Sequence, residues 1–471
     1  MKNKIITAAY PFVPVEMNLF HMASTYLPAD FYTRLAKFFN DSPLFILGVD
    51  VHGRHAKRKA SQENTPLAEL SDKYVVQYAR QFAKMGIAPD VFIRTDDPRV
   101  LAIEKEGLEN MAREGVVIER SSHDFKCSGC DERLSKSEIE IQTSTDAKTT
   151  LKSVGNQQDL SLVGKLTCSL CHSTEVSMQP TEHYVIKLVR DSFMRELFRL
   201  QPSKSVSKNL ESIFNSDFSE WEFTRTGYNG FPFPLDDSKQ LYLWCDSLFS
   251  KLIPLFDGKK ISREQLNQTE FVSFFGKNIL PYYSLIFPTI LRQGFGATNP
   301  NVIFSTRGFC SGKETDTLVD IDKLLGEFSQ ESLRFYCGYT VPDDMRDFKI
   351  NKRGLDLVKR DILERTFNRF LSESTDYVSS RKLGDAEFEP MSPEVSQLFD
   401  KLKKHYLSVS PRRILLELEQ GVRGHLGKIN PLSTDYKETK RLADMRKLTM
   451  DILSCYIPET VKNYSLASGL S

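Results

Sequence analysis

Tyr10-Pro11-Phe12-Val13-Pro14-Val15-Glu16-Met17-Asn18-Leu19-Phe20-His21-Met22 is the stretch on which the fold turns. An apolar run, residues 5–9, leads into it, and a helix is predicted after it with Asp30, Arg34 and Lys37 on its polar side. Strand, loop and helix in this order open a nucleotide-binding α/β fold. Such a loop lies at the carboxyl end of the first strand, where open sheets place their ligands. It lacks the glycines that let a backbone approach a phosphate.

Working outward, residues 43–49 form a continuously apolar run, as a strand buried on both faces requires. It ends in Asp50-Val51-His52-Gly53; taken alone, Asp50 reads as a helix N-cap and His52 as a loop residue. Thr65-Pro66 opens a helix, with Thr as N-cap and Pro first inside. Leu67, Leu70, Tyr74, Tyr78, Phe82 and Met85 then recur every three or four residues until Gly86. Val91-Phe92-Ile93-Arg94 is the next strand, and a helix over 98–113 ends at Gly115. This alternation predicts a right-handed, parallel half-sheet.

The whole chain has 471 residues, enough for two or three domains. Its hydrophobic fraction of 40% and charged fraction of 27% are those of a soluble globular protein. A net charge of +1, from 63 basic against 62 acidic residues, gives no global field for nucleic acid or membrane. Pro11 and Pro14 interrupt the first apolar stretch, which argues against a signal peptide. No run reaches membrane-spanning length, so no membrane partner and a cytoplasmic location are expected.

From residue 121 to about 180 the chain is rich in Ser, Thr, Lys and Gln and has little apolar periodicity. Here stand Cys127-x2-Cys130 and Cys168-x2-Cys171, four of the eight cysteines, separated by 37 residues. Two such knuckles supply four thiolates to one tetrahedral Zn²⁺ in a closed, structural site. His123 and His172 lie close enough to replace a cysteine, which leaves the ligand set open.

Beyond 180 strands are expected near 182–188 and at 302–304, and a helix passes through Phe193, Leu197 and Leu200. Leu241-Tyr242-Leu243-Trp244-Cys245-Asp246 reads as a strand ending in an acid. An aromatic helix runs from 282 to 291, and from Arg353 the chain reads as an amphipathic helix bundle. Lys401, Lys403, Lys404, Arg412 and Arg413 read as solvated helix faces.

This order of parts resembles the methionyl-tRNA synthetase family of class Ia aminoacyl-tRNA synthetases, over essentially the whole chain. The resemblance rests on Tyr26-Leu27-Pro28-Ala29-Asp30, Asp50-Val51-His52-Gly53, Glu182-His183-Tyr184, Tyr242-Leu243-Trp244-Cys245-Asp246, Gly276-Lys277-Asn278-Ile279 and Ser332-Leu333-Arg334-Phe335-Tyr336. It implies a class I Rossmann-type parallel sheet with an inserted zinc-binding subdomain and a C-terminal helical bundle. The divisions expected are 1–120, first catalytic half; 121–180, zinc insertion; 181–345, second catalytic half; and 346–471, an anticodon-binding-like helical domain.

The family's His-x-Gly-His falls on Asn18-Leu19-Phe20-His21, where only the second His remains. In the family both histidines donate to ATP phosphate oxygens. Asn18 keeps a donor without charge, and Phe20 places a ring where the family's glycine lets adenine lie on the backbone. The second signature, Lys-Met-Ser-Lys-Ser, falls in residues 308–317 and keeps one lysine, Lys313, beside Glu314 and Asp316. The resemblance thus assigns His21, Asn18 and Lys313 to catalysis, and Phe20 and Lys277 to the nucleotide. To the substrate it assigns Tyr10, Phe12, Asp50, His52, Trp244, Asp246, Asn278, Tyr282 and Tyr283. Asp50 would hold a substrate ammonium, and Trp244 would form a pocket wall. ATP with Mg²⁺ and structural Zn²⁺ are the cofactors implied.

No Trp follows Trp244, so the family's C-terminal base-stacking platform is missing, and tRNA is expected to be a doubtful partner. The expectation placed first is a paralogue that activates an amino acid or amine-bearing small molecule with ATP and ligates it to an acceptor other than tRNA. A non-catalytic binding relative comes second, and a divergent methionine–tRNA ligase third.

Overall fold

The computed structural model describes residues 3–130, 133–134, 139–142, 148–150, 166–169, 171–256, 258, 261–310, 320–380, 391–426, 429 and 435–467. Five parallel strands form the central sheet, in the order Asn301–Arg307, Thr269–Gly276, Asn3–Ala8, Ser42–Val49, Val91–Arg94. Every pairing is parallel. Strand order reverses at Asn3–Ala8, so the crevice between its carboxyl end and that of Thr269–Gly276 is the topological switch point.

Alternation along these strands divides the core. Ile6, Phe45, Leu47, Val272 and Phe274 face a cluster that continues into the C-terminal helices. Ile5, Ile46, Phe271 and Phe275 face the other layer, with Trp221, Phe249 and Phe287. Side chains of successive strand residues point to opposite faces, so two buried faces give continuously apolar strands.

After the first loop one continuous helix runs over residues 19–38, with a π-helical turn at Met22–Tyr26. Asp30 was expected on its polar side, but it is buried, 2.6 Å from Arg334 and 2.9 Å from Arg34. The next long helix is Leu67–Lys84, so Pro66 rather than Thr65 holds the cap position. Pro98–Arg113 is helical as expected.

Two antiparallel strands, Val117–Cys127 and Val176–Lys187, make a ribbon that pairs from Val117↔Ile186 to Cys127↔Val176. The cysteine knuckles lie at its far end, on a small core of Phe125, Leu134 and Ile139. Residues 241–246 do not form the expected strand. The strand is Asp236–Leu241, and Leu243–Phe249 is a helix with Tyr242 at its N-cap. Trp244 and Asp246 therefore lie in a first helical turn, where a short apolar run cannot be told from a strand by period alone.

The C-terminal part is helical: residues 352–379, then Pro393–Leu407, Pro411–Leu426, Tyr436–Ser454 and Pro458–Ala467. Arg412 is not a solvated charge; its Nε donates to the carbonyl of Tyr339 at 2.8 Å. Among the described residues no helix is long and apolar enough to cross a membrane.

Candidate active site

The first loop is held in place before any ligand is considered. The Asp50 N–H donates to the Pro11 carbonyl at 2.9 Å, and the Val13 N–H to the Asp50 carbonyl at 3.0 Å. The Tyr78 hydroxyl, from the long helix, donates to the carbonyls of Phe12 and Val15 at 3.0 and 2.6 Å. Tyr10 and Asp50, ends of neighbouring strands, thereby stand side by side. Gly48 makes room for Tyr10, because a Cβ there would lie 2.7 Å from Tyr10 Cε2 and 2.8 Å from the Ile93 carbonyl oxygen.

At the switch point a cavity of ≈ 40 Å³ is lined by Ala9, Tyr10, Asp50, Trp244, Tyr282 and Tyr283, with Ser247, Leu248 and Ile279 completing it. Asp50 is 3% exposed, and its Oδ1 has no hydrogen-bond partner. Burial pushes its carboxyl well above the usual range, against the pull of the nearby Lys251 ammonium. The bland reading of Asp50 fails: the helix Arg54–Glu63 has Gly53 at its cap and no side-chain cap bond. Trp244 meets Tyr282 edge to face, with ring centroids 4.2 Å apart.

Four other residues assigned to the substrate do not line this cavity. Phe12 is 36% exposed and faces His55, and Asn278 is exposed. His52 and Asp246 lie behind it, with His52 Nδ1 2.7 Å from Asp246 Oδ2. Glu104, fully buried, stands beside them; burial and then the Asp246 charge push its carboxyl well up, and burial does the same to Asp246. Burial also lowers the His52 imidazole. Two buried acids against one neutral imidazole retain a proton between them.

At the start of the first helix, the Asn18 side chain is the N-cap. Its Oδ1 accepts from the N–H groups of Phe20 (3.0 Å) and His21 (3.2 Å), while its own N–H donates to His21 Nδ1 at 3.2 Å. This is a capping box with His in the place of the usual Glu or Gln. Asn18 therefore has only its amide NH2 left for a phosphate. His21, its Nδ1 accepting, carries its proton on Nε2, and burial lowers its pKa. Phe20 is half-buried and packs against the core. Lys277 reaches Asp347 at 2.6 Å and lies 4.7 Å from the Phe309 ring centroid, so it ties the end of its strand to the segment after the second signature. Lys313 lies outside the described residues.

The sulfurs of Cys127, Cys130, Cys168 and Cys171 all lie within 4.8 Å of one another, Cys127–Cys171 at 3.5 Å and Cys130–Cys168 at 3.9 Å. Tetrahedral Zn²⁺ with Zn–S of about 2.3 Å sets thiolates roughly 3.8 Å apart, so the cluster fits that ion. Neither His123 nor His172 belongs to the group. Burial acts to raise the Cys127 thiol, but N–H groups of Cys130 and Gly129 and the neighbouring thiols outweigh it and bring it down to about 7.

Sequence reasoning missed Lys251, Glu104 and Ser247. A helical reading of 243–249 was the signal available for Ser247; Lys251 lies beyond that helix, in the 3-10 segment Ser250–Leu255. A second concavity, a groove of ≈ 630 Å³, runs between the ribbon and the helix Arg54–Glu63. Arg54, Lys57, Lys126, Arg133 and Arg225 line it, and Tyr242 and Leu243 carry it to the turn that bears Trp244.

A family model described as tRNA synthetases class I (M) matches residues 4–369. Curated relatives include the methionine–tRNA ligase of Methanobrevibacter smithii, 24% identical over 361 residues, which cover 73% of this chain and 54% of the relative. That of Methanocella arvoryzae is 22% identical, covering 88% and 67%; that of Thermoplasma volcanium is 21% identical, covering 86% and 80%. The chain thus spans only about half the length of the first of these. Among solved structures, Mycobacterium tuberculosis methionyl-tRNA synthetase in complex with methionyl-adenylate shares the fold, with a TM-score of 0.72 at 15% identity over 98% of this chain and 93% of that one. The relatives correct one expectation. A doubtful tRNA partner does not fit proteins that are each named for joining methionine to tRNA.

Proposed function

The chain belongs to the class I (M) tRNA synthetase family, and from that premise we propose that it is an ATP-dependent ligase of the methionyl-tRNA synthetase type, activating an amino acid and passing it to tRNA. One observation carries the reading: Tyr10, Asp50, Trp244 and Tyr283 converge at the switch point of the sheet. There the buried Asp50 carboxylate, with an unpartnered oxygen, is placed to hold an α-ammonium. The substrate carboxylate would attack the α-phosphorus of ATP, with pyrophosphate leaving. His21 Nε2–H and the Asn18 amide supply donors to the charge that develops on phosphate oxygens. Bound with ATP, Mg²⁺ would neutralise phosphate charge.

Four thiolates holding Zn²⁺ would stiffen the ribbon tip. The basic groove, opening beside the Trp244 turn, offers counter-charges to the phosphates of a tRNA end. A cytoplasmic location is retained as part of this proposal. Domain divisions at about 120, 180 and 345 are retained as part of this proposal.

Amino-acid-dependent ATP–pyrophosphate exchange, followed by tRNA charging, tests the reading, with methionine at the head of the panel because the relatives are named for it. Exchange followed by charging supports the ligase. Absence of exchange and of ATP binding in calorimetry would leave a non-catalytic binding protein. A second reading, a ligase of altered side-chain specificity, is favoured by the make-up of the cavity walls, where Asp50 stands among three tyrosines.

A further inference from the structure

Lys251 is fully buried against two walls of the amino-acid cavity, the rings of Tyr10 and Tyr283. Ser247 and Leu248, which line the cavity, lie four and three residues before it; their helix, Leu243–Phe249, ends before Lys251, which stands in the 3-10 segment Ser250–Leu255. Its Nζ stands 4.5 Å from the Tyr10 ring centroid and 5.1 Å from that of Tyr283, and both rings are cavity walls. Its hydrogen bond, to Thr7 Oγ1, is a long one at 3.4 Å.

An ammonium has three N–H donors and costs several kcal/mol to bury without partners. Among the described residues, one long bond and two ring faces leave most of that donor capacity unanswered. Nothing in a purely apolar pocket calls for such a group. Asp50 is the nearest counter-charge, yet it keeps an orphan oxygen of its own. Burial lowers the Lys251 ammonium to about 7, with Asp50 pulling it back up, so an incoming acceptor would readily keep it protonated.

Resting on the adenylating reading above, we infer that Lys251 determines side-chain specificity and that this pocket takes an amino acid whose side chain ends in an oxygen acceptor. Asp50 meets the α-ammonium, and Lys251 donates to the far end of the substrate. Carboxylate, carboxamide and sulfoxide share that chemistry. A thioether sulfur, a weak acceptor, does not offset a buried ammonium. If Lys251 served only as a counter-ion for Asp50, its removal would weaken every amino acid alike.

The test is calorimetric binding of aspartate, glutamate, asparagine, glutamine, methionine sulfoxide and methionine to the full chain, followed by pyrophosphate exchange with the same panel. At least one acceptor-bearing amino acid should bind about tenfold or more tighter than methionine, because an unpaired buried donor penalises the analogue that lacks a partner. Aspartate and glutamate ahead of their amides would identify an anion; the reverse order would identify a neutral acceptor. Lys251→Met should reverse the preference toward methionine. The wild-type ranking needs no variant, so a poorly folded Lys251→Met leaves it decisive. Methionine binding tightest, no acceptor-bearing amino acid binding, or a uniform loss in Lys251→Met would overturn the inference. Binding in the expected order without exchange would support it while refuting the adenylating reading; exchange and charging with methionine alone would do the opposite.

Discussion

Arg334 Nη2 lies 2.6 Å from Asp30 Oδ2, joining two buried side chains 304 residues apart. The same guanidinium donates to the carbonyls of Tyr456 (2.7 Å) and Met85 (2.8 Å). The first helix, the end of Leu67–Lys84 and the C-terminal bundle thus share one cation. Removing Asp30 leaves the buried Arg334 charge without its counter-ion, at a cost of about 3–5 kcal/mol. Asp30→Asn should show that loss in denaturant unfolding, and Arg334→Met should cost less, because Asp30 keeps Arg34 at 2.9 Å.

Metal analysis should find about one Zn per chain. Cys130→Ser or Cys168→Ser should lose the metal and open the ribbon tip to proteolysis, while the central sheet, with its own core, stays folded. Structural zinc supplies folding free energy directly where the apolar core is this small.

The His21 Nδ1 accepts the Asn18 N–H, and burial lowers its pKa below 6.5. The unfolded chain therefore binds a proton first as pH falls. The stability that the neutral ring contributes is fully present above about 6.5 and is lost as pH drops toward the lower folded value. His21→Gln keeps a capping-box side chain without the titration. Urea unfolding between pH 7 and 5 should show a shallower acid loss in the variant than in the wild type; equal slopes would refute the assignment.

Phe20→Gly should raise ATP affinity about tenfold in calorimetry if the ring stands where adenine binds. It should also cost about 1 kcal/mol or more in stability, from glycine in a helical turn and lost packing. Unchanged or weaker nucleotide binding would show that the ring serves the core alone.

Gly48→Ala should be destabilising by about 1–3 kcal/mol, because its Cβ meets Tyr10 and the Ile93 carbonyl below 3 Å. Since Tyr10 is a cavity wall, the amino-acid KM should rise as well.

Most strands and helices up to residue 113 were legible because each records its own buried face in its period; Arg54–Glu63, a polar helix that buries only Ala56 and Ala60, was not. The C-x2-C pairs announced the cluster at the ribbon tip for a similar reason: the ligand atoms within a knuckle are close along the chain. Tyr10, Asp50, Trp244 and Tyr283 were found through motifs that sit at element ends.

Other features were hidden. Asp30 looked solvent-facing because its partner is 304 residues away. Residues 241–246 looked like a strand because six apolar-rich residues do not separate period 2 from 3.6. Lys251 looked like any helix lysine. The sequence alone determined the sheet, the insertion and the family resemblance, since these rest on local periodicity and spacing. Only the tertiary structure decided what surrounds the first loop, because closing the sheet brings Tyr10, Asp50 and Tyr283 around one small cavity, with Lys251 against two of its walls, and that juxtaposition is written in no local pattern.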